Sequence, residues 1–339
     1  FFSTLSIRQH RAFWTHGYDL GNVDQAVWNT LHGDFLRMTN EAGTEHRLGT
    51  HFDPILAALS PLYLLYSSPE TLLIVQTIAL ALGAWPVFRL TAEKLRSAWG
   101  GVVFAFVYLM FPALQGASLS EFHAVTLGAG PLAWAFYFLH RDRALLFGLF
   151  AILAMSCKED ISLLVAMMGL YAFFIQKKRR LGLATIVVGF LWFVAAVKIV
   201  IPNFNTSGRS IHLARYSYLG NSLEDVLTSI VTRPELVLSN FQDPLKVSYL
   251  LRLCFPVGYL SLLAPPVLLI LAPAIAINFL STVYHMYALD KFHSSVTAVP
   301  FIVISAGWGA AFLVRLLQRK LKVKRGFLLV VFCTYALIF

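Results

Sequence analysis

Stretches far apart in the sequence gather residue types that carry out acid–base and phosphate chemistry. The first reads HGYDLGNVDQAVWNTLHGDF over residues 16–35 and places Asp19 and Asp24 around the first turn of a short amphipathic pattern. Val23, Ala26, Val27 and Leu31 recur there at helical spacing, and Gly33 is placed to end the helix. Leu20, Trp28 and Leu31 are expected to pack against a membrane surface. Asp19 has two readings at this level. It either caps the helix by accepting from free backbone N–H groups, or it is a catalytic carboxylate held at a membrane–water boundary. A second stretch, EHRLGTHFDP, supplies His51 and Asp53. SLSEFHAV places Glu121 and His123 before an apolar run, and SCKEDISLL places Lys158, Glu159 and Asp160 at the mouth of another. HMYALDKFHSS adds His285, Asp290, Lys291 and His293.

Ionisable residues beside apolar runs are costly and point to function, although each one singly also suits a snorkelling charge or a helix cap. The KED triplet is the hardest to explain that way, because three consecutive charges between apolar segments need partners or water. Asp19, His51, Asp53, Glu121 and His123 together offer oxygen and imidazole ligands for a divalent cation such as Mg or Mn. There is no HExxH, EF-hand loop, GxSxG, P-loop or GxGxxG. Cys157, Cys254 and Cys333 are far apart and read as small buried apolar residues.

The elements that position these residues are membrane elements. Of 339 residues, 58% are hydrophobic and 13% are charged, against roughly half and a quarter in soluble domains. That composition excludes a cytosolic enzyme, a disordered chain and a disulfide-rich secreted module. Apolar runs at 71–90, 99–115, 183–201, 266–283 and 295–315 are the clearest spans. Shorter runs at 124–139, 144–157, 160–175, 248–264 and 327–339 complete an alternating series, and 54–66 with Pro61 reads as interfacial or re-entrant. The expected fold class is therefore an all-α polytopic bundle of about ten or eleven spans. It divides into an external first loop (1–70), a first bundle part (71–201), an external loop subdomain (202–247) and a second bundle part (248–339). The chain opens without Met and stops inside an apolar run, so it reads as a piece of a longer protein, with FFSTL as the tail of a preceding span.

The net charge of +10 is distributed unevenly. One set of connections holds Arg89–Arg96, His140–Arg143, KKRR at 177–180 and Arg315–Arg325, with Glu93 and Asp142 as its acids. The positive-inside rule assigns this set to the cytoplasm, so the basic excess sets topology and calls for no nucleic acid partner. Every acid but those two, and every His but His140, falls on the other side, which makes the external face the working surface. The long loop on that side carries Arg209, His212, Arg215 and Tyr216, types suited to sugar stacking and phosphate contact and equally to a small capping subdomain, and then an amphipathic stretch from Leu223 to Leu236.

The run YDLGNVDQAVWN, from Tyr18 to Asn29, followed in order by HFDPILAALSPLYLL, EFHAV and CKEDISLLVAMMGLYAF, resembles a family of prokaryotic polytopic membrane proteins of unknown function. That family is similar to GT-C class glycosyltransferases, which use polyprenyl-phosphate sugar donors. The likeness runs from about Tyr18 to Leu317, with Glu121 where the family pattern leads one to expect Asp. It implies a GT-C-like bundle in the prokaryotic plasma (inner) membrane with an external active site. It also implies inverting transfer to an acceptor hydroxyl, with Asp19 as the base and Asp24 as the second choice. His51, Asp53, Glu121, His123, Lys158, Glu159, Asp160, Arg215 and Lys291 are the expected substrate-binding residues. The main alternative is a transporter or lipid flippase, since broken helices such as 255–275, with Pro256, Pro265, Pro266 and Pro273, occur in transporters.

Overall fold

The computed structural model describes residues 1–41, 43–206, 211–289 and 291–338. Arg209 and Asp290 lie outside the described residues. The described chain is all-helical, with no strand and a single isolated bridge between Arg37 and His46. Among the described residues, three helices are long and apolar enough to cross a membrane: Pro69–Leu95, Arg179–Phe204 and His293–Leu321. A fourth crossing is available if Ala98–Met110 and Pro112–Leu119, bent by 44° at Phe111, act as one. The bend has a local cause, because Pro112 cannot donate and forces Phe111 into extended backbone.

The expected series of ten spans is thus shorter in fully spanning helices than the apolar runs suggest. Ala144–Met155, Ile161–Phe174, Pro265–Leu280 and Arg325–Ile338 are apolar helices of 10–17 residues, below the roughly 20 that a straight crossing needs. The run 248–264 breaks at Pro256 and at Gly258 and Tyr259, which both take positive φ, so the Pro244–Cys254 helix ends in two short turns. Residues 55–64 form a short helix and a tight turn containing Pro61.

Burial sorts the long helices by role. The apolar window of His293–Leu321 is 83% buried, so this helix is the axis of the bundle, whereas that of Arg179–Phe204 is 22% buried. The latter presents Leu183, Val187, Phe190 and Leu191 outward, an apolar surface that suits lipid and not water. Its inner edge carries Gly182 and Gly189 against the Ile161–Phe174 helix. A Cβ at Gly182 would stand 2.7 Å from the Gly169 carbonyl oxygen, and one at Gly169 2.8 Å from that of Gly182. Small residues on both helices let the backbones meet, the packing expected where lipid removes the hydrophobic drive between helices.

The first loop folds onto one end of this bundle. A π-helical turn, Gly17–Gly21, runs into the helix Asn22–Leu31, which buries Val23, Ala26 and Val27 and is followed by Gly33 at φ +100. Leu20 is buried with them, while Trp28 remains 45% exposed. In the long second loop, Leu223–Thr232 is a helix with a capping box of Ser222 and Asp225.

Candidate functional site

Asp19 sits inside the π-turn rather than at a helix cap, and the Asn22–Leu31 helix has no side-chain cap bond. Isolated π-turns are frequent at functional sites because the extra residue pushes a side chain out of register. Glu121 holds this turn in place. Its buried carboxylate accepts from the His16 backbone N–H at 2.8 Å, from His16 Nδ1 at 2.6 Å and from the Leu20 N–H at 3.3 Å. Glu121 itself has φ +80, a strained conformation that other contacts must maintain. Gln76, fully buried in the Pro69–Leu82 helix, supplies them by donating to the Glu121 carbonyl at 2.8 Å and accepting from the His123 N–H at 3.0 Å. A polar side chain in a spanning helix thus fixes the segment that carries both Glu121 and His123.

These anchors bring Asp19 and His123 together. His123 Nε2 stands 3.7 Å from Asp19 Oδ2, beyond a direct hydrogen bond but within the reach of electrostatic attraction. Among the described residues, neither ring nitrogen of His123 has a hydrogen-bond partner. The His123 imidazole, with Arg47 and His16 behind it, holds the Asp19 carboxyl below the usual range against the opposing effect of burial. Asp19 is therefore anionic at neutral pH, and its side chain is 40% exposed to the cavity.

That cavity has a volume of about 280 Å³ and a wall of convergent polar groups. Asp19, Glu41 and Tyr18 line one part, and Arg47, Lys158 and Arg215 bring positive charge. His51, His123, His212, His285 and His293 surround them. Glu159 lies behind the wall, where its carboxylate accepts from His51 Nδ1 and from the Phe52 N–H, each at 3.0 Å. Burial first, then the surrounding cations, push His51 well below its usual range. A neutral ring donating through Nδ1 to Glu159 leaves Nε2 as an acceptor. His51 also stacks on His212 with ring centroids 4.3 Å apart, and His123 packs against His293 at 3.6 Å.

The cations differ in how far they are neutralised. Arg47 is paired with Asp53, Nη2 to Oδ2 at 2.8 Å, with Asp53 buried and the Arg47 side chain partly so. Burial pushes the Asp53 carboxyl up to about 6 although Arg47 opposes it. Lys158 Nζ meets Asp160 Oδ2 at 3.1 Å. Burial likewise raises the Asp160 carboxyl, again against the pull of Lys158. Arg215 has no carboxylate partner among the described residues. Its Nη1 contacts Met286 Sδ at 3.2 Å, and its backbone carbonyl is held by the Thr282 N–H and hydroxyl. A guanidinium without a carboxylate partner among the described residues and an anionic carboxylate, lining one cavity, suit a ligand with both a phosphate and a hydroxyl.

Of the residues expected from the sequence, Asp19, His51, His123, Lys158 and Arg215 line the cavity. Asp53, Glu121, Glu159 and Asp160 stand behind it as partners of lining groups or of the Asp19 turn. Asp24 and Lys291 lie apart. Tyr63 donates to Asp24 at 2.6 Å beneath the helix, and exposed Lys291 lies beside Pro112, Gln115 and Leu119. Arg47 and Gln76 were not anticipated. A lone Gln inside the apolar run PETLLIVQTIALAL was the available signal for the second. The divalent cation expected from the sequence finds no cage. Among the described residues no three His, Cys, Asp or Glu side chains are grouped to hold a metal, because Asp53 and Glu121 are turned to Arg47 and His16.

Fold and site together define a helical membrane protein with a polar, partly buried cavity at one end of its bundle. The sequence profile of the predicted membrane proteins termed DUF2079 matches residues 9–339, and the chain belongs to that family. None of the curated proteins compared with the chain matches it.

Proposed function

We propose that the protein is a glycosyltransferase of the prokaryotic plasma membrane. On this reading it transfers a sugar from a polyprenyl-phosphate donor to an acceptor hydroxyl at the external face, with inversion. The observation that carries the reading is that anionic Asp19 lines one cavity with Arg215, which has no carboxylate partner among the described residues, beside Lys158 and the imidazoles. Asp19 accepts the proton of the acceptor hydroxyl as its oxygen bonds to the anomeric carbon. The bond from that carbon to the donor phosphate breaks, and the electron pair leaves with the phosphate. Arg215 and Lys158 offset the charge that develops there. His51 and His212 hydrogen-bond sugar hydroxyls, a role for which a neutral imidazole is suited. No step passes through a metal.

The test uses the purified protein in lipid nanodiscs with a panel of radiolabelled polyprenyl-phosphate sugars and a mixed acceptor extract. Transfer of label from at least one donor, dependent on Arg215, supports the reading. Translocation of intact donor across vesicles without any transfer would replace it with a flippase.

A further inference from the structure

Both the Pro69–Leu95 and the His293–Leu321 helices run from the Asp19 end of the molecule to a second cavity at the opposite end. Its volume is about 410 Å³, and its wall carries Lys94, Arg96, Arg315, Arg319 and Arg325 with no carboxylate. The two acids on this face are engaged elsewhere, Glu93 with Arg141 at 3.0 Å and Asp142 with Lys178 at 2.6 Å. The cavity is built and not merely a basic tail. Arg325 donates through Nη2 to the Leu95 and Arg96 carbonyls, at 2.5 and 3.1 Å, and so fastens the Arg325–Ile338 helix onto the end of Ala84–Leu95. Arg96 takes φ +48 there, closing that helix in the left-handed conformation.

A third cavity, of about 270 Å³, shares Lys94 and Arg315 with the basic one and continues into apolar walls that include Ile175, Leu263, Val267 and Phe312. Lys94 Nζ lies at the junction, 4.4 Å over the Trp308 ring. Basic residues at a helix end fix topology wherever they point. That role does not call for a carboxylate-free hollow opening into an apolar slot. A free phosphate would use only the first cavity, whereas a lipid would use both.

We propose that these joined cavities bind one anionic phospholipid, with its phosphate among Arg96, Arg315, Arg319 and Arg325 and an acyl chain in the apolar slot. Basic pockets between spanning helices recognise such head groups through charge-assisted hydrogen bonds. The site is independent of the transfer reaction at the other end.

The experiment titrates dioleoyl phosphatidylglycerol into the purified protein in neutral detergent micelles and follows the melting temperature. The lipid raises it, while dioleoyl phosphatidylcholine and inorganic phosphate leave it unchanged. In the double variant Arg315→Gln/Arg319→Gln the apparent affinity falls about thirtyfold, as the loss of two surface charges implies. Lys320→Gln/Lys324→Gln, which removes the same charge outside the cavity, weakens it less than about threefold on the same scale. Ile175→Trp, at an exposed position that fills the apolar slot, weakens binding without touching a charge and decides the matter if the double variant does not fold. Equal loss in both double variants would reduce the site to diffuse charge. A shift with inorganic phosphate as large as with the lipid, or none with the lipid in the unaltered protein, would also overturn the proposal.

Discussion

The Arg47–Asp53 pair yields a sharp energetic expectation. Asp53 Oδ2 accepts from Arg47 Nε at 2.9 Å and from Nη2 at 2.8 Å, while the side chains are 1% and 14% exposed. Those exposures decide which regime applies. A surface pair contributes about 0–1 kcal/mol, whereas removing one partner of a buried pair costs about 3–5 kcal/mol because the other charge is stranded. Asp53→Asn retains an acceptor oxygen for Arg47, so its cost is set at about 3 kcal/mol, the lower end of that range. Arg47→Met/Asp53→Leu removes both charges and keeps apolar volume, so it should lose less than either single change. Unfolding in mixed micelles by titration with SDS, followed by tryptophan fluorescence, measures the unaltered protein, Asp53→Asn, Arg47→Met, Asp53→Leu and the double variant. A cost below about 1 kcal/mol for Asp53→Asn would mean that water reaches the pair. The buried cavity wall described above would then be wrong.

The depressed Asp19 carboxyl gives a pH dependence. A base whose value lies below the usual carboxylate range stays ionised through the neutral and mildly acidic region, so kcat/KM should lose its base only at a pH below that range. His123→Gln removes the main stabilising group but not the burial, so the acidic limb should move upward. A limb that does not move removes His123 as Asp19's partner. Asp24→Asn keeps an acceptor oxygen for the Tyr63 hydroxyl and only weakens that bond, so it should cost no more than about 1 kcal/mol of stability. Transfer measured in the same preparation should stay within about threefold of the unaltered protein, a barrier change of under 1 kcal/mol. Glu121→Gln weakens three hydrogen bonds to the Asp19 turn, at a cost of about 1.5–3 kcal/mol. Its kcat should fall while donor KM holds, and a rise in KM alone would place Glu121 at the ligand instead.

Membrane class and the helical character of the first loop could be read in the sequence, because both rest on local composition and periodicity. The YDLG run drew attention to Asp19, and several of the His residues and acids that the sequence put on one side line one polar cavity with it. What could not be read was the pairing. Arg47 finds Asp53 through a turn, and His51 finds Glu159 across more than a hundred residues, so neither spacing announces itself. Asp19 appeared equally suited to a cap, and only the π-turn takes it off the helix axis and toward His123. The number of full crossings was also hidden. Pro112, Pro256 and Gly258 break apolar runs that hydropathy alone counts as whole. Lys291 was grouped with His293 by sequence proximity, but the turn between them sends the two to different surfaces.

The central claim is that Asp19 is the base of a transfer reaction, and one variant tests it most directly. Asp19→Asn keeps the size and shape of the side chain but cannot accept the acceptor's proton. Donor affinity and single-turnover transfer are measured on the same folded protein in nanodiscs. Affinity should stay within about threefold while transfer falls by about 10²-fold or more, the range that general-base catalysis supplies. Full transfer by Asp19→Asn would contradict the account and take Asp19 out of the mechanism.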